Sequence, residues 1–486
     1  MTPYSDEDVS AGGLRQISGK RAGRDIALQL LSKGANVALG TAVTVVLVRG
    51  LGDRGFGQWS TIAAVVQLVG FLGDLGLEQI TVRKAAEEPS REDRWVGALL
   101  TLRLAIAIPT TIASMILLLA LSTDDHMRWA AIIQAATLLL APLTSTRVIF
   151  QLRVRNTTNA SLELANGILW GAAVFSLAAM SAGLVAYALA FAGALVVTSI
   201  AQAVLALRVS RPRIRTSREF WPQLVRVGLP VAISSLLVMA YARIDQVLVF
   251  EINGERAAGL YGAAYRILER GHLLPGAVMG TLFPLIAAAR GVDPDRMRRL
   301  VQTAFEVLLT VALPIFAFTL VAATPLVDLL FGADFRAAST AMTVLMGSFV
   351  VVAIGYLCGY LVIIFSLQWR FLRYALAGLV FNVVANLALL PRYGFEAAAW
   401  TTLATELLVV GLSFRAVTGA IDHPLSFDRP ARIAGAAAIM AAAVWAAGRA
   451  GGPVGVLIAT GAVAYPLALL ALRGVDSDQL RRLVER

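Results

Sequence analysis

The sequence predicts an all-α polytopic membrane protein with fourteen transmembrane helices. Of its 486 residues, 58% are apolar and only 15% are charged, whereas roughly a quarter of the residues in a soluble domain are charged. The mean hydropathy is +0.73. The chain therefore carries more apolar surface than one core can bury, which excludes an ordinary soluble enzyme and a disordered protein. Its apolar runs are continuous rather than alternating, which excludes a transmembrane β-barrel.

Fourteen apolar segments are long enough to cross a bilayer, since a spanning helix needs about 20 residues. Charged residues or clusters of Gly and Pro separate them. The eighth segment is unusually long, and Pro275 and Pro284 are its predicted kink points. The predicted spans are 24–48, 57–81, 95–120, 128–150, 160–180, 183–207, 225–250, 258–288, 300–323, 338–365, 371–390, 395–418, 431–448 and 454–472.

Basic residues predict the orientation, because short cytoplasmic loops of membrane proteins are rich in Lys and Arg. With a cytoplasmic N-terminus, every second connecting segment carries several basic residues, as 208–224 does. The other segments carry scattered single ones, such as Arg54 and Arg256. This alternation predicts that both termini are cytoplasmic. It also accounts for the net charge of +11 without a nucleic-acid partner.

A repeat divides the chain into two halves. LGDRGFGQW (51–59) links the first two spans and NGERAAGLY (253–261) links spans seven and eight, with acid, Arg, Gly and aromatic residues in register. Six spans separate the copies, so both halves have the same orientation, and such parallel repeats place the substrate site between them near the midplane. The predicted organisation is a disordered cytoplasmic tail (1–23), an N-lobe of helices 1–6 (24–207), a cytoplasmic linker (208–224), a C-lobe of helices 7–12 (225–418), and helices 13–14 with a short tail (419–486).

The eighth span contains the strongest set of candidate site residues, because a charge inside a membrane helix is costly and marks a functional position. Arg266, Glu269 and Arg270 share one helix face by their i, i+3, i+4 spacing, with His272 close by. An arginine fork matches phosphate oxygens, so these residues predict a clamp for a phosphorylated ligand. The alternative is a structural pair between Glu269 and one arginine, which would still leave one positive charge uncompensated.

The seventh span adds Arg243 and Asp245, which point in different directions on a helix. Asp245 is predicted either to pair with the arginines of the eighth span or to bind a coupling ion, H⁺ or Na⁺. A fixed structural salt bridge is the alternative interpretation.

Polar stripes on the first two spans predict that these helices also face a wet central cavity. Lys33 and Asn36 belong to the first stripe, and Asp74 and Glu78 to the second. The two carboxylates are predicted to titrate or to gate the cavity. Their alternative is a pair at the inner rim with Lys33 or Arg83. Isolated polar residues elsewhere are interpreted as helix–helix contacts: Asn382, Asn386 and Glu406 are examples.

The sequence shows none of the features typical of an enzyme or a metalloprotein. A single cysteine, Cys358, and three widely spaced histidines predict neither a disulfide framework nor a metal site. There is no phosphate-binding loop of the Walker type and no loop domain large enough for catalysis. We therefore expect a protein that is not an enzyme and has no cofactor besides a coupling ion.

Four stretches of sequence carry a resemblance to a known family. They are LGDRGFGQWS (51–60), GDLGLEQITVRKAA (73–86), RIDQVLVFEINGERAAGLYGAAYRI (243–267) and PRYGFEAAAWTTLATE (391–406). With them the chain resembles polysaccharide (O-antigen, Wzx-type) flippases of the multidrug/oligosaccharidyl-lipid/polysaccharide exporter superfamily. The resemblance covers essentially the whole chain, and its diffuse motifs identify the superfamily better than the substrate.

The resemblance implies an inverted-V bundle of two lobes that moves a polyprenyl-pyrophosphate-linked oligosaccharide from the inner to the outer leaflet, driven by an ion gradient. Cavity arginines would hold the pyrophosphate, a role that maps here to Arg266, Arg270 and Arg243. It further implies the cytoplasmic membrane of a bacterial-type cell, and a polysaccharide polymerase and glycosyltransferases as partners in the pathway.

Three alternative functions stay open at this point. A drug or metabolite/cation antiporter of the same fold would favour a negatively charged cavity, against which the arginines of the eighth span argue. A flippase for a lipid-linked peptidoglycan precursor is disfavoured because the first span offers Lys33 and no arginine at mid-membrane. A membrane glycosyltransferase or ligase would need a sizeable outer loop, and none is predicted.

Overall fold

A computed structural model describes residues 19–74, 76–153, 156–210, 212, 218–421 and 425–474, with side chains described from residue 38 onward apart from short gaps. The regular structure of these residues is helical. Most of the predicted N-terminal tail, most of the arginines of the predicted linker and the last twelve residues lie outside the described residues. The domain boundaries stay predictions.

Sixteen α-helices follow one another in the described part of the chain. Their apolar composition and scarcity of internal breakers make them helical, and charged residues or glycines end most of them. They are α1 Gly19–Asp74, α2 Leu77–Glu87, α3 Glu92–Leu121, α4 Asp125–Ala136, α5 Ala141–Thr144, α6 Arg147–Leu152, α7 Asn156–Ala179, α8 Leu184–Val209, α9 Trp221–Gly271, α10 Leu273–Ala289, α11 Pro294–Phe331, α12 Ser339–Ile364, α13 Gln368–Tyr393, α14 Glu396–Ile421, α15 Asp428–Arg449 and α16 Val454–Ala471.

Twelve continuous segments of the described residues are long and apolar enough to cross a membrane. Two of them, Ala38–Glu87 and Leu236–Ala289, are 50 and 54 residues long, and each corresponds to a pair of predicted spans. Gly52 and Gly254 interrupt the helical backbone inside them, at φ of 66° and 84°, a region that favours glycine. A multi-pass helical membrane protein is thus confirmed, while the count of fourteen and the side of the termini stay predictions.

Two predicted spans are broken rather than continuous. The fourth, 128–150, consists of α4, a 3₁₀ turn at Thr137–Leu140, α5 and α6. In the eighth span α9 ends at Gly271 and α10 starts at Leu273, just before Pro275. Proline lacks the N–H that a helix needs and its ring crowds the preceding turn, so a break next to Pro275 is expected.

The two copies of the repeat meet where α1 crosses α9, close to Gly52 and Gly254. A Cβ added to Gly57 would lie 1.9 Å from the Glu255 carbonyl oxygen, and one added to Gly259 would lie 1.8 Å from the Asp53 carbonyl oxygen. This reciprocal contact is what two equivalent halves related by an axis between them would produce. Only glycine allows the two backbones to approach so closely.

The last two helices pack against α11. Ala322 of α11 shares a buried apolar cluster with Met440 and Val444 of α15 and Leu457 of α16. The Tyr465 hydroxyl of α16 donates a hydrogen bond of 2.8 Å to the Thr310 carbonyl oxygen. The appended helices therefore lie on the outside of the C-lobe, away from the contact between the halves.

Candidate functional site

Three of the predicted site residues meet in the C-lobe. Glu269 accepts a hydrogen bond from Arg243 on one carboxylate oxygen and from Arg266, 2.8 Å away, on the other. Arg266 and Glu269 are brought together by their i, i+3 spacing, whereas Arg243 comes from the other limb of α9, across the break at Gly254. We call Arg243, Glu269 and Arg266 the charged triad. It carries one net positive charge.

Arg270 turns away from the triad toward the N-lobe. Its guanidinium donates hydrogen bonds of 3.2 Å to the Gly40 carbonyl oxygen and 3.4 Å to the Thr44 hydroxyl, both on α1. A Cβ at Gly40 would lie 2.8 Å from that guanidinium, so the absence of a side chain at Gly40 makes room for Arg270. The predicted clamp is therefore divided between the charged triad and a contact that joins the two lobes.

Asp245 lies apart from the arginines. It is 1% exposed and accepts hydrogen bonds from Asn386 (2.8 Å), Thr402 (2.6 Å) and Tyr261 (3.2 Å). The predicted pairing of Asp245 with the arginines of the eighth span, and the fixed salt bridge, are both wrong within the described residues. The reason is that Asp245 faces α13 and α14, whose Asn386 and Thr402 bond its carboxylate. The coupling-ion role stays a prediction.

Sequence reasoning missed the partners of Asp245. Asn382 and Asn386 lie one turn apart on α13, and the Asn386 amide bonds the Asn382 side chain at 3.2 Å. We interpreted these residues as helix–helix contacts, yet they surround a carboxylate. The i, i+4 spacing of the two asparagines on an otherwise apolar helix could have indicated a shared polar partner. No comparable pattern in the sequence singled out Thr402.

Asp74 and Glu78 belong to an ion network inside the N-lobe. Arg103 of α3 bonds both carboxylates and donates a hydrogen bond of 3.0 Å to the Gly73 carbonyl oxygen. Glu78 also accepts a hydrogen bond from Arg147 of α6. The alternative of a pair was right in kind, and the described partners are Arg103 and Arg147.

The side chains of two other candidates, Lys33 and Asn36, lie outside the described residues. Arg83, the second proposed partner of the inner-rim pair, forms its ion pair with Glu87 at 3.6 Å instead. The titrating or gating role of Asp74 and Glu78 stays a prediction. Their partners come from helices that are distant in sequence, so spacing along the second span could not reveal them.

A cavity of about 620 Å³ lies in the C-lobe, bordered by α9, α12, α13 and α14. Arg243 and Glu269 form part of its wall, as do His272, Asn382 and Glu406. Among the described residues that line it, Phe71 alone comes from the N-lobe. We expected one central cavity shared by both lobes. The cavity found among the described residues lies almost wholly in the C-lobe instead.

The two lobes are joined at the end of the molecule that contains Gly52 and Gly254. The Gln58 amide donates hydrogen bonds to Asp124 of the N-lobe (2.9 Å) and to Glu255 of the C-lobe (2.8 Å). Arg256 pairs with Asp53 at 2.8 Å. The Arg256 side chain is exposed, so its pair with Asp53 can separate at little cost in free energy, whereas Gln58 is buried.

Comparison with known proteins places the chain in a family. The family described as "Polysaccharide biosynthesis protein" matches residues 22–289, which is more than half of the sequence. The chain belongs to this family. The match contains both copies of the repeat and the charged triad, so the resemblance seen in the sequence is confirmed.

Two archaeal relatives of this chain come from Haloferax volcanii. "Probable flippase AglR" is 24% identical over 263 residues, which are 52% of this chain and 55% of that protein. "Probable low-salt glycan biosynthesis flippase Agl15" is 22% identical over 365 residues, 73% of this chain and 74% of that protein. The chain thus spans about half the length of the first relative and about three quarters of the second.

Solved structures share the fold. The structure of "Lipid II flippase MurJ" in an inward closed conformation aligns with 95% of this chain and with 100% of its own length. The TM-score is 0.72 and the sequence identity 13%. An inward-facing multidrug resistance transporter of the MATE family covers 79% of this chain, is itself 94% covered, and has a TM-score of 0.67 and 16% identity. At these identities the likeness concerns the architecture alone, and it assigns the chain the fold of this transporter superfamily.

Proposed function

We propose that the protein is a transporter that flips a polyprenyl-pyrophosphate-linked oligosaccharide from the inner to the outer leaflet. The product would supply cell-surface polysaccharide synthesis at the cytoplasmic membrane, together with glycosyltransferases and a polysaccharide polymerase. The family membership and the flippase relatives support this proposal. The protein would act without catalysis, by alternating access of its two lobes.

The observation that carries the proposal is the excess of positive charge in the charged triad together with Arg270. Arg243, Arg266 and Arg270 contribute three positive charges and Glu269 removes one, which leaves two. A pyrophosphate esterified at both ends carries two negative charges, so the cargo would neutralise the site. Burial of such a charge without an anion is unfavourable, and guanidinium groups suit phosphate oxygens.

Alternating access would use the contacts between the lobes. With cytoplasmic termini, the end that contains Gly52 and Gly254 faces outward, and there the contacts of Gln58 and Arg256 close the path. The outward step requires these contacts to part. Arg270 would connect cargo and movement, because an arginine that turns to a phosphate gives up its bond to the Gly40 carbonyl oxygen.

Asp245 is our proposed site for the coupling ion, H⁺ or Na⁺. The carboxylate is buried among Asn386, Thr402 and Tyr261, and the Asn386 side-chain oxygen has no hydrogen-bond partner in the described structure. Carboxylate, amide and hydroxyl oxygens are suitable ligands for a hard cation, and an unpaired buried carboxylate gains stability when it binds a cation or a proton.

The test is flipping of a lipid-linked oligosaccharide in proteoliposomes. We expect Arg266→Ala and Arg270→Ala each to reduce the rate at least tenfold. Arg415→Ala, which removes an exposed arginine on α14, is the matched control and should flip at the wild-type rate. Wild-type flipping by both the Arg266 and the Arg270 variant would overturn the clamp.

Two alternatives are separated by the choice of cargo. The MATE-like fold would suit a drug or metabolite/cation antiporter, and the MurJ-like fold a flippase for a lipid-linked peptidoglycan precursor. Transport of a cationic dye against a Na⁺ or H⁺ gradient, or flipping of the peptidoglycan precursor alone, would favour these functions over the proposed one.

A further inference from the structure

The C-lobe cavity holds polar groups that the charged triad leaves unused. Within the part of the chain that the structure describes, no hydrogen bond or ion pair reaches the Glu406 carboxylate, which faces the cavity from α14. The His272 Nε2 atom and the Arg243 Nε atom are buried and also have no hydrogen-bond partner there, and both residues line the cavity. Buried polar groups without partners are costly, so they point to a polar ligand.

Tyrosine rings form much of the remaining wall. Tyr241 and Tyr265 face the cavity from α9, and Tyr356 and Tyr360 from α12. The Arg243 guanidinium lies 5.7 Å from the centre of the Tyr265 ring. The wall thus combines flat apolar surfaces with a few fixed polar groups, as ligand-binding cavities do.

This combination suits a carbohydrate ring better than the other parts of a lipid-linked cargo. A sugar ring has apolar C–H faces that pack on aromatic rings and hydroxyl groups at its edge that donate to a carboxylate. An acyl chain would leave Glu406 desolvated and unpaired, which is unfavourable. A cation would meet the Arg243 guanidinium in the same cavity. The volume of about 620 Å³ lies in the range of roughly 300–1,000 Å³ for small-ligand sites.

We propose that the C-lobe cavity binds the sugar unit next to the pyrophosphate, with Glu406 accepting hydrogen bonds from its hydroxyl groups. This inference rests on the proposed function, because Arg243 and Glu269 belong both to the clamp and to the cavity wall, which places the first sugar beside them. Placing a second carboxylate next to the Glu406 carboxyl group is unfavourable, so the cavity accepts a neutral or amino sugar and rejects a uronic acid.

Binding of short-chain analogues to the purified full-length protein in nanodiscs tests the proposal. The ligands are a polyprenyl pyrophosphate, the same lipid bearing one neutral hexose, the same bearing one hexuronic acid, and a polyprenyl hexoside without phosphate. For the wild type we expect the hexose to tighten binding about tenfold over the bare pyrophosphate, since a hydrogen bond to a charged group contributes roughly this much. The hexuronic acid should give no such gain.

Two variants at Glu406 supply the decisive comparison. Glu406→Ala should lose the tenfold gain from the hexose, and Glu406→Gln, which keeps the side-chain shape, should bind the hexuronic acid as tightly as the wild type binds the hexose. Glu163→Ala, on an exposed face of α7, is the control and should behave as the wild type. An undiminished gain in Glu406→Ala, or a wild type that prefers the hexuronic acid, would overturn the sugar site.

The same measurements separate this proposal from the clamp. If Arg266→Ala binds the bare pyrophosphate as the wild type does, the clamp fails. Binding of the hexoside without phosphate then still tests the sugar site. Weaker binding to Glu406→Ala than to the wild type supports the sugar site, and equal binding to both refutes it.

Discussion

At the scale of single residues, the charges within the spanning helices are held by partners from other helices. Arg103 is 7% exposed and contacts Asp74 and Glu78. Arg243 reaches Glu269 across the helix break at Gly254. Removal of one member leaves a buried charge uncompensated, which is more destabilising than the pair itself is stabilising. These residues therefore bear on stability as well as on transport.

Arg103→Ala should be strongly destabilising. The substitution removes the arginine that contacts both Asp74 and Glu78. Loss of one partner of a buried ion pair lowers the free energy of unfolding by about 3–5 kcal/mol. Thermal unfolding of the purified protein measures this. Arg94→Ala is the control, because Arg94 pairs with the exposed Glu219 at 3.4 Å, and such pairs contribute less than about 1 kcal/mol. Similar shifts for both variants would contradict the network.

At the scale of helices, glycine decides where α1 and α9 can bend and touch. Gly52 and Gly254 adopt positive φ at equivalent positions of the repeat, where each long helix turns. Gly57 and Gly259 lie on the crossing of α1 and α9 and have backbone oxygen atoms where a Cβ would be. The sequence repeat showed that these loops are equivalent, but it did not show that they touch.

Gly259→Ala should weaken the contact between the halves. Backbone atoms cannot give way as a flexible side chain can, so overpacking here should lower the free energy of unfolding by about 1–3 kcal/mol or more. Gly193→Ala is the matched control: it lies inside α8 with nothing within 4 Å of the added Cβ. It should be neutral or slightly stabilising, because alanine favours a helix. The measurement is the melting temperature of each variant. An unchanged melting temperature in Gly259→Ala would exclude the close crossing of α1 and α9.

At the scale of the whole molecule, the two lobes meet at one end through groups that can exchange partners. Gln58 bonds Asp124 within its own lobe and Glu255 in the other lobe. The Gln58 side chain thus makes one contact between the lobes and one contact within the N-lobe, and the second can serve as a control for the first. At the opposite end the Trp221 indole donates a hydrogen bond of 3.1 Å to the Thr101 hydroxyl.

A reversible cross-link tests whether the lobes must separate. Cysteines at Gln58 and Glu255, in a background without Cys358, should stop flipping when joined by a short disulfide-containing reagent, and a reductant should restore it. Cysteines at Gln58 and Asp124, joined in the same way inside one lobe, should leave flipping unchanged. Continued transport by the first pair when fully cross-linked would rule out movement at this end.

Cysteine labelling tests the orientation. In the same background, Arg54→Cys should react with an impermeant maleimide in intact cells, because Arg54 is exposed beside Gly52. Arg296→Cys, exposed at the start of α11, should react only after the cells are permeabilised. The reverse pattern would invert the predicted topology.

Several features of the site could be predicted from the sequence. The spacing of Arg266 and Glu269 predicted a pair on one helix face, and the structure has it. The same reasoning failed for Asp74 and Glu78, whose partners Arg103 and Arg147 lie on other helices. Local spacing reports neighbours along one helix, whereas the ion pairs of Arg103 and Arg147 join helices that are distant in the chain.

The sequence alone determined the membrane class, the repeat and the presence of buried charge, because hydropathy, periodicity and residue type are properties of the chain itself. Only the tertiary structure decided that Glu269 bridges two arginines, that Asp245 lies among amides and hydroxyls, and that the cavity lies within the C-lobe. The physical reason is that packing brings together side chains from helices that are distant in the chain, and spacing along one helix cannot report those distances.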